Sequence, residues 1–193
     1  MPNADWETLL AEIAACERCP LHKTRTNPVP GKGNPAAGIM IIGEAPGADE
    51  DAQGLPFVGR AGKLLDRLLF AVDLTLDDVY IANILKCRPP ANRDPETSES
   101  EACIPFLRRQ TKLISPKVIM CLGRIAAMRL ITPDFKITVQ RGQWFERGGF
   151  HMCATFHPAA LLRDPGRKGE TLDDFKSLVQ KARELGVALG NEG

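Results

Sequence analysis

Ile39-Met40-Ile41-Ile42-Gly43-Glu44-Ala45-Pro46-Gly47-Ala48-Asp49-Glu50-Asp51 is the stretch from which the fold is read. Four residues led by branched apolar side chains predict a strand buried on both faces, and the glycines and proline that follow cannot continue it. The strand therefore ends in a tight, acid-bearing loop. In open α/β sheets ligands sit outside the carboxyl ends of the strands, which puts Glu44 where chemistry usually happens. Gly and Pro also punctuate ordinary connecting loops, so the loop alone does not separate a site from a solvated turn.

Further along, Val79 to Leu85, Lys117 to Leu122 and Met152 to Phe156 read as three more buried strands. Two of them repeat the pattern of a polar residue at or near the carboxyl end: Asn83 inside one apolar run, and His157, followed by Pro158, after another. A buried amide must find partners, as a bridge between loops or as a reader of a polar ligand. His22 and His151 have no such setting. Helices are expected at Trp6 to Ile13 with Asp5 as cap, through Leu64 to Leu69, from Ser98 with Glu101 as capping box through Leu113 with a kink or restart at Pro105, from Gly123 to Leu130, and from about Leu172 to Leu185. Pro133 to Gly149 lacks a clear period and is expected to be an irregular hairpin. Phe57 stands in a Gly- and Pro-rich loop before a helix, either as a plug under the loop or as a platform for a planar ligand. Gly59 to Lys63 opens that helix and could meet a phosphate, although it lacks the Lys-Ser/Thr ending of a nucleotide-triphosphate loop.

At 193 residues with 44% hydrophobic side chains the chain suits one domain, taken as 1–193, with a real core. A formal net charge of +1 excludes a protein that grips polyanions over its whole surface, so any nucleic-acid site is local. The first twenty residues carry acids without a basic leader, and no apolar run reaches the ~18 residues of a membrane span. A cytoplasmic protein without a membrane partner is expected.

Six cysteines are present. Cys16 and Cys19 form a Cys-x-x-Cys pair after a helix rather than before one, which argues against a redox dithiol. Cys87 and Cys103 lie far along the chain, each near a proline, while Cys121 and Cys153 sit in strand-like runs and are expected in the core. By spacing alone, the first four suit zinc as well as an iron–sulfur cluster. Structural disulfides are not expected in a cytoplasmic chain.

Taken together, Gly43-Glu44-Ala45-Pro46-Gly47, Leu55-Pro56-Phe57-Val58-Gly59, Asn83 with Lys86-Cys87-Arg88-Pro89-Pro90, and His157-Pro158 resemble the type-4, iron–sulfur branch of the uracil-DNA glycosylases, over about Cys16 to Arg163. The resemblance implies a three-layer α/β/α sandwich with a central, mainly parallel four-stranded sheet. It also implies a [4Fe-4S] cluster on Cys16, Cys19, Cys87 and Cys103, and uracil-containing DNA as the partner of an expected monomer.

The residue types suit that chemistry. Glycosylases read the extruded base in a pocket, so Phe57 would stack on uracil while the Asn83 amide donates to O4 and accepts from N3–H. His157, assisted by backbone N–H groups of Gly43 to Ala45, would stabilise the departing uracil anion, and Glu44 would orient the water. Another branch of the superfamily has an aspartate after the position of Glu44, where this chain has Ala45. Glu50 is then a candidate helper, or a wall against the methyl group of thymine. Leu161 and Leu162 are candidates to wedge into the DNA stack and Arg163 to meet phosphate, unless both leucines face the core. Two alternatives stand beside the hydrolase. One is a covalent trap or binder of uracil-DNA, which would need a histidine that Arg88 to Asp94 lacks; the other is a non-catalytic nucleic-acid module with a structural metal.

Overall fold

Strands made only of apolar residues must be covered on both faces, and the chain does this with two layers of helices. The structure, a computed structural model, describes residues 4–190; the first and last three residues of the expected 1–193 domain lie outside the described residues. In chain order the elements are α1 (Ala4–Ala14), β1 (Lys32–Gly33), β2 (Ile39–Gly43), α2 (Ala48–Gln53), α3 (Arg60–Phe70), β3 (Val79–Asn83), α4 (Thr97–Ile114), β4 (Val118–Leu122), α5 (Arg124–Leu130), α6 (Ile137–Gln140), β5 (Phe145–Arg147), β6 (Phe150–Thr155), α7 (Pro158–Arg163) and α8 (Lys168–Glu184).

The sheet runs β1-β3-β2-β4-β6-β5. Its four central strands are parallel, and β1 and β5 pair antiparallel at the two edges. The expected four-stranded sheet is thus the parallel centre of a six-stranded one. The edge strands span two and three residues and are half-buried or exposed, so they carry no apolar run that would reveal them. Side-chain alternation splits the core in two. Met40, Ile42, Ile119 and Cys121 face α1, α4 and α5; Ile39, Ile41, Met120 and Cys153 face α3 and α8. Cys121 and Cys153 are fully buried core thiols.

Several local expectations shift. Asp5 lies in the first turn of α1 rather than ahead of it. The capping box of α4 is Glu96 with Glu99, not Ser98 with Glu101: the Glu99 carboxylate accepts from the Glu96 N–H at 2.9 Å and also holds Arg93 through two hydrogen bonds. Pro105 neither breaks nor restarts α4, because Phe106 and Leu107 are packed in the core beside it. Pro133 to Gly149 contains α6 and then β5, which closes a hairpin with β6.

Between α2 and α3, Phe57 takes a left-handed backbone (φ 52°), a conformation that a bulky residue adopts only when its surroundings impose it. Glu50 imposes it from one side, since one oxygen accepts from the N–H groups of Val58 (2.9 Å) and Gly59 (3.0 Å) and the other from Gly47 (3.1 Å). From the other side Lys32 donates to the Phe57 carbonyl at 3.1 Å. The loop also lies directly on Gly62 of α3, where a Cβ would sit 2.8 Å from the Phe57 Cα and nearer still to its carbonyl. Gly62→Ala is therefore expected to cost about 3 kcal/mol or more by forcing α3 off the loop, read as a lowered urea midpoint at unchanged slope.

Candidate active site

The carboxyl ends of β2, β3 and β6 open onto one cleft, lined by Glu44, Ala45, Glu50, Phe57, Asn83, His157 and Arg163 among others. Parallel pairing sets Gly43 opposite Asn83, so the register alone brings the ends of two strands level. Gly43 has no room for a side chain: a Cβ there would run into the Asn83 Oδ1 and stand 2.7 Å from the Phe57 ring. Asn83 is 2% exposed, and its side-chain oxygen has no hydrogen-bond partner. A buried amide with an empty acceptor is rare, because leaving one unmade costs about 1–3 kcal/mol. Among the described residues that oxygen bridges no loops.

His157 reaches the cleft across β4. Gly123, at the end of β4 with φ 89°, lets it pass; a Cβ there would lie 2.9 Å from that of His157. The His157 Nδ1 accepts from the Ala159 N–H at 3.1 Å, at the start of α7. The neutral ring then carries its proton on Nε2 and is a hydrogen-bond donor. Burial pushes the imidazole down to about 4, opposed by Glu50 and aided by Arg163, so it is uncharged at neutral pH. Its ring lies 5.7 Å from that of Phe57, tilted by 31°.

Glu44 titrates near neutrality. Burial and then the nearby charge of Asp94 push its carboxyl up to about 7, with Arg124 pulling the other way. Asp94 and Arg124 pair at 3.2 Å. Neither was found from sequence, since both act from elements distant in the chain; the only signal was the acid among the cations of Arg88 to Asp94. Glu50 also lines the cleft, but with both oxygens committed to backbone N–H groups it braces the Phe57 loop.

The two leucines after His157 part company. Leu161 is wholly buried against the sheet and cannot wedge into anything, which corrects the expectation for it; Leu162 is 38% exposed. A six-residue helix turns successive side chains by about 100°, so one leucine faces in and its neighbour out. Arg163 lines the cleft mouth.

On the far side of β3, Cys16, Cys19, Cys87 and Cys103 line a single cavity with Arg25 and Lys86. All six cysteines are free thiols. Arg25 donates to the Cys87 sulfur at 3.1 Å and the Lys86 N–H to that of Cys103 at 3.2 Å. Among the described residues no three His, Cys, Asp or Glu side chains converge on a point that could hold a metal ion. Cysteine thiolates are ligands of zinc and of iron–sulfur clusters alike, and here the four thiols stand together with Arg25 and Lys86.

Residues 30–183 match the uracil DNA glycosylase superfamily. The chain is 48% identical over 180 residues to the type-4 uracil-DNA glycosylase of Archaeoglobus fulgidus, covering 89% of this chain and 90% of that one. It is 41% identical to the type-4 uracil-DNA glycosylase of Thermotoga maritima, covering 91% and 95%. Similarity falls to 28% for the type-5 uracil-DNA glycosylase of Pyrobaculum aerophilum, over 94% and 93%.

The raised Glu44 carboxyl makes a stability prediction whose sign is fixed. Below about pH 4.5 the acid is protonated folded or unfolded, and nothing is lost. As pH rises towards 7 the unfolded chain sheds the proton first, so the native state loses stability and keeps that penalty above 7. Glu44→Gln should therefore stabilise the protein by about 1–3 kcal/mol near pH 8, with the gain gone by about pH 4.5, measured by urea unfolding across that range.

Proposed function

This chain belongs to the uracil DNA glycosylase superfamily, and from that premise we propose that it is a DNA-repair hydrolase that cuts the N-glycosidic bond of uracil in DNA, releasing free uracil and leaving an abasic site. The observation that carries the reading is the buried, unanswered oxygen of Asn83 beside the ring of Phe57. A uracil stacked on Phe57 offers N3–H to that oxygen and O4 to the amide N–H. Cytosine presents an acceptor and a donor in the reverse order and is refused.

Bond breaking sends the electron pair of the N1–C1′ bond onto the base, where it spreads to O2, and leaves positive character on the sugar. His157, neutral and with its proton on Nε2, donates a hydrogen bond to O2 without itself having to lose a charge. Water adds to C1′, and Glu44 takes the proton that the water gives up; a carboxyl near 7 is about half ionised at neutral pH and ready to do so. The surrounding loop bears no histidine between Arg88 and Asp94 to capture the sugar, which favours turnover over a covalent trap.

The type-4 resemblance supplies the metal reading. Cys16, Cys19, Cys87 and Cys103 would hold a [4Fe-4S] cluster, whose part is structural: it ties the segment after α1 to the loop after β3 and to α4. Leu162 fills the gap left by the extruded base and Arg163 meets phosphate. The protein works as a cytoplasmic monomer in one domain; no helix among the described residues is long and apolar enough to cross a membrane.

The test is a uracil-containing oligonucleotide. Free uracil with an abasic site supports the hydrolase, a gel-stable adduct the trap, and neither product the non-catalytic module. His157→Ala should lower turnover about 10²- to 10³-fold with base preference intact. Asn83→Asp should lose most uracil excision, because a carboxylate faces O4 acceptor to acceptor; a folded Asn83→Asp protein working at the parental rate would sink the pocket. Arg163→Ala should weaken DNA binding and flatten its salt dependence by about one phosphate contact, seen in binding titrations over a salt series.

A further inference from the structure

Lys86 is 1% exposed, and no carboxylate pairs with it among the described residues. Such a lysine is costly to bury unless its charge is met and its protons are accepted. Its Nζ donates to the main-chain carbonyl of Asn83 at 2.8 Å and to that of Pro30 at 3.3 Å. Its own backbone is held at both ends, the N–H on the Cys103 sulfur at 3.2 Å and the carbonyl by the Val29 N–H at 2.7 Å. Pro30 is in turn fixed by Gln110 of α4, which donates to the same carbonyl at 2.9 Å. Lys86 also lines the cavity of the four cysteines. It therefore stands between two features far apart in role, its backbone N–H on the Cys103 sulfur and its ammonium on the Asn83 carbonyl.

Asn83 needs such a hold. Its side-chain oxygen has no hydrogen-bond partner among the described residues, and Gly43 and the Phe57 ring pack beside it. We propose that Lys86 is a positioning residue for uracil recognition: its ammonium clamps the Asn83 main-chain carbonyl and so holds the carboxamide at the base edge. The inference rests on Asn83 reading uracil. It makes the cysteine site a support of base reading as well as a tie between segments.

Lys86→Met removes donor and charge at similar bulk, and Lys86→Gln keeps a donor without the charge. For both, visible absorbance reports cluster content, and steady-state kinetics with inhibition by free uracil reports base reading. Lys86→Met should keep its colour, while KM and the uracil inhibition constant rise about 10- to 100-fold, the effect of losing a hydrogen bond from a charged group. Lys86→Gln should recover part of this. In an Asn83→Ala background Lys86→Met should add nothing further, because its action runs through Asn83. Coloured Lys86→Met protein with parental constants overturns the proposal, as does a fully additive loss in the Asn83→Ala background. Colourless protein from both variants also overturns it, since Lys86 would then serve the cysteine cavity alone. A parent protein that neither releases nor binds uracil defeats the functional reading first, and this one with it.

Discussion

Two missing side chains set the geometry of the cleft. At Gly43 the chain must leave the sheet without a Cβ, because the Asn83 amide and the Phe57 ring already occupy that volume. At Gly123 it must do so again, because His157 crosses there from β6. A methyl group at either place would push apart side chains that line the cleft. The parallel ladder does the rest: it fixes Gly43 level with Asn83, and every strand of the centre delivers its carboxyl end to the same side. Electrostatics follows from that enclosure. The same burial that keeps His157 neutral holds Glu44 near the midpoint of its titration, so one cleft carries an uncharged imidazole and a half-ionised carboxyl at neutral pH.

Much of this was legible in the sequence. Strands buried on both faces announce themselves as unbroken apolar runs, and a polar residue at the end of such a run, as at Asn83 and His157, is conspicuous. What the sequence withheld depends on neighbours distant along the chain. That Gly43 stands opposite Asn83, whose oxygen finds no partner there, is set by the pairing of β2 with β3. The repulsion between Asp94 and Glu44 joins two loops, and the Asp94 partner Arg124 belongs to a third segment. Leu161 and Leu162 differ only in the phase of a helix too short to show a period. Glu50 was visible as an acid of the right loop, but a carboxylate that receives three backbone N–H groups looks no different in sequence from one that faces solvent.

The cysteines show the same division. Their residue type and rough grouping were evident, and spacing left zinc and iron–sulfur level. In space the four thiols stand around one cavity, which their separation along the chain does not reveal. Cations stand there as well, with Arg25 donating to the Cys87 sulfur and the Lys86 N–H to that of Cys103.

The order of the strands has an evolutionary reading. In the proposed reading Asn83, which meets the base edge, ends β3, and His157, which meets the departing electrons, follows β6, with β2 and β4 between those strands. Identity of the base and departure of the base are thus entrusted to different genetic segments joined only by a rigid floor. A lineage could exchange the residue on β3, and with it the lesion that is recognised, while inheriting the departure apparatus unaltered. A sheet of this order is a chassis on which a diversity of base-specific repair enzymes can arise by small local change.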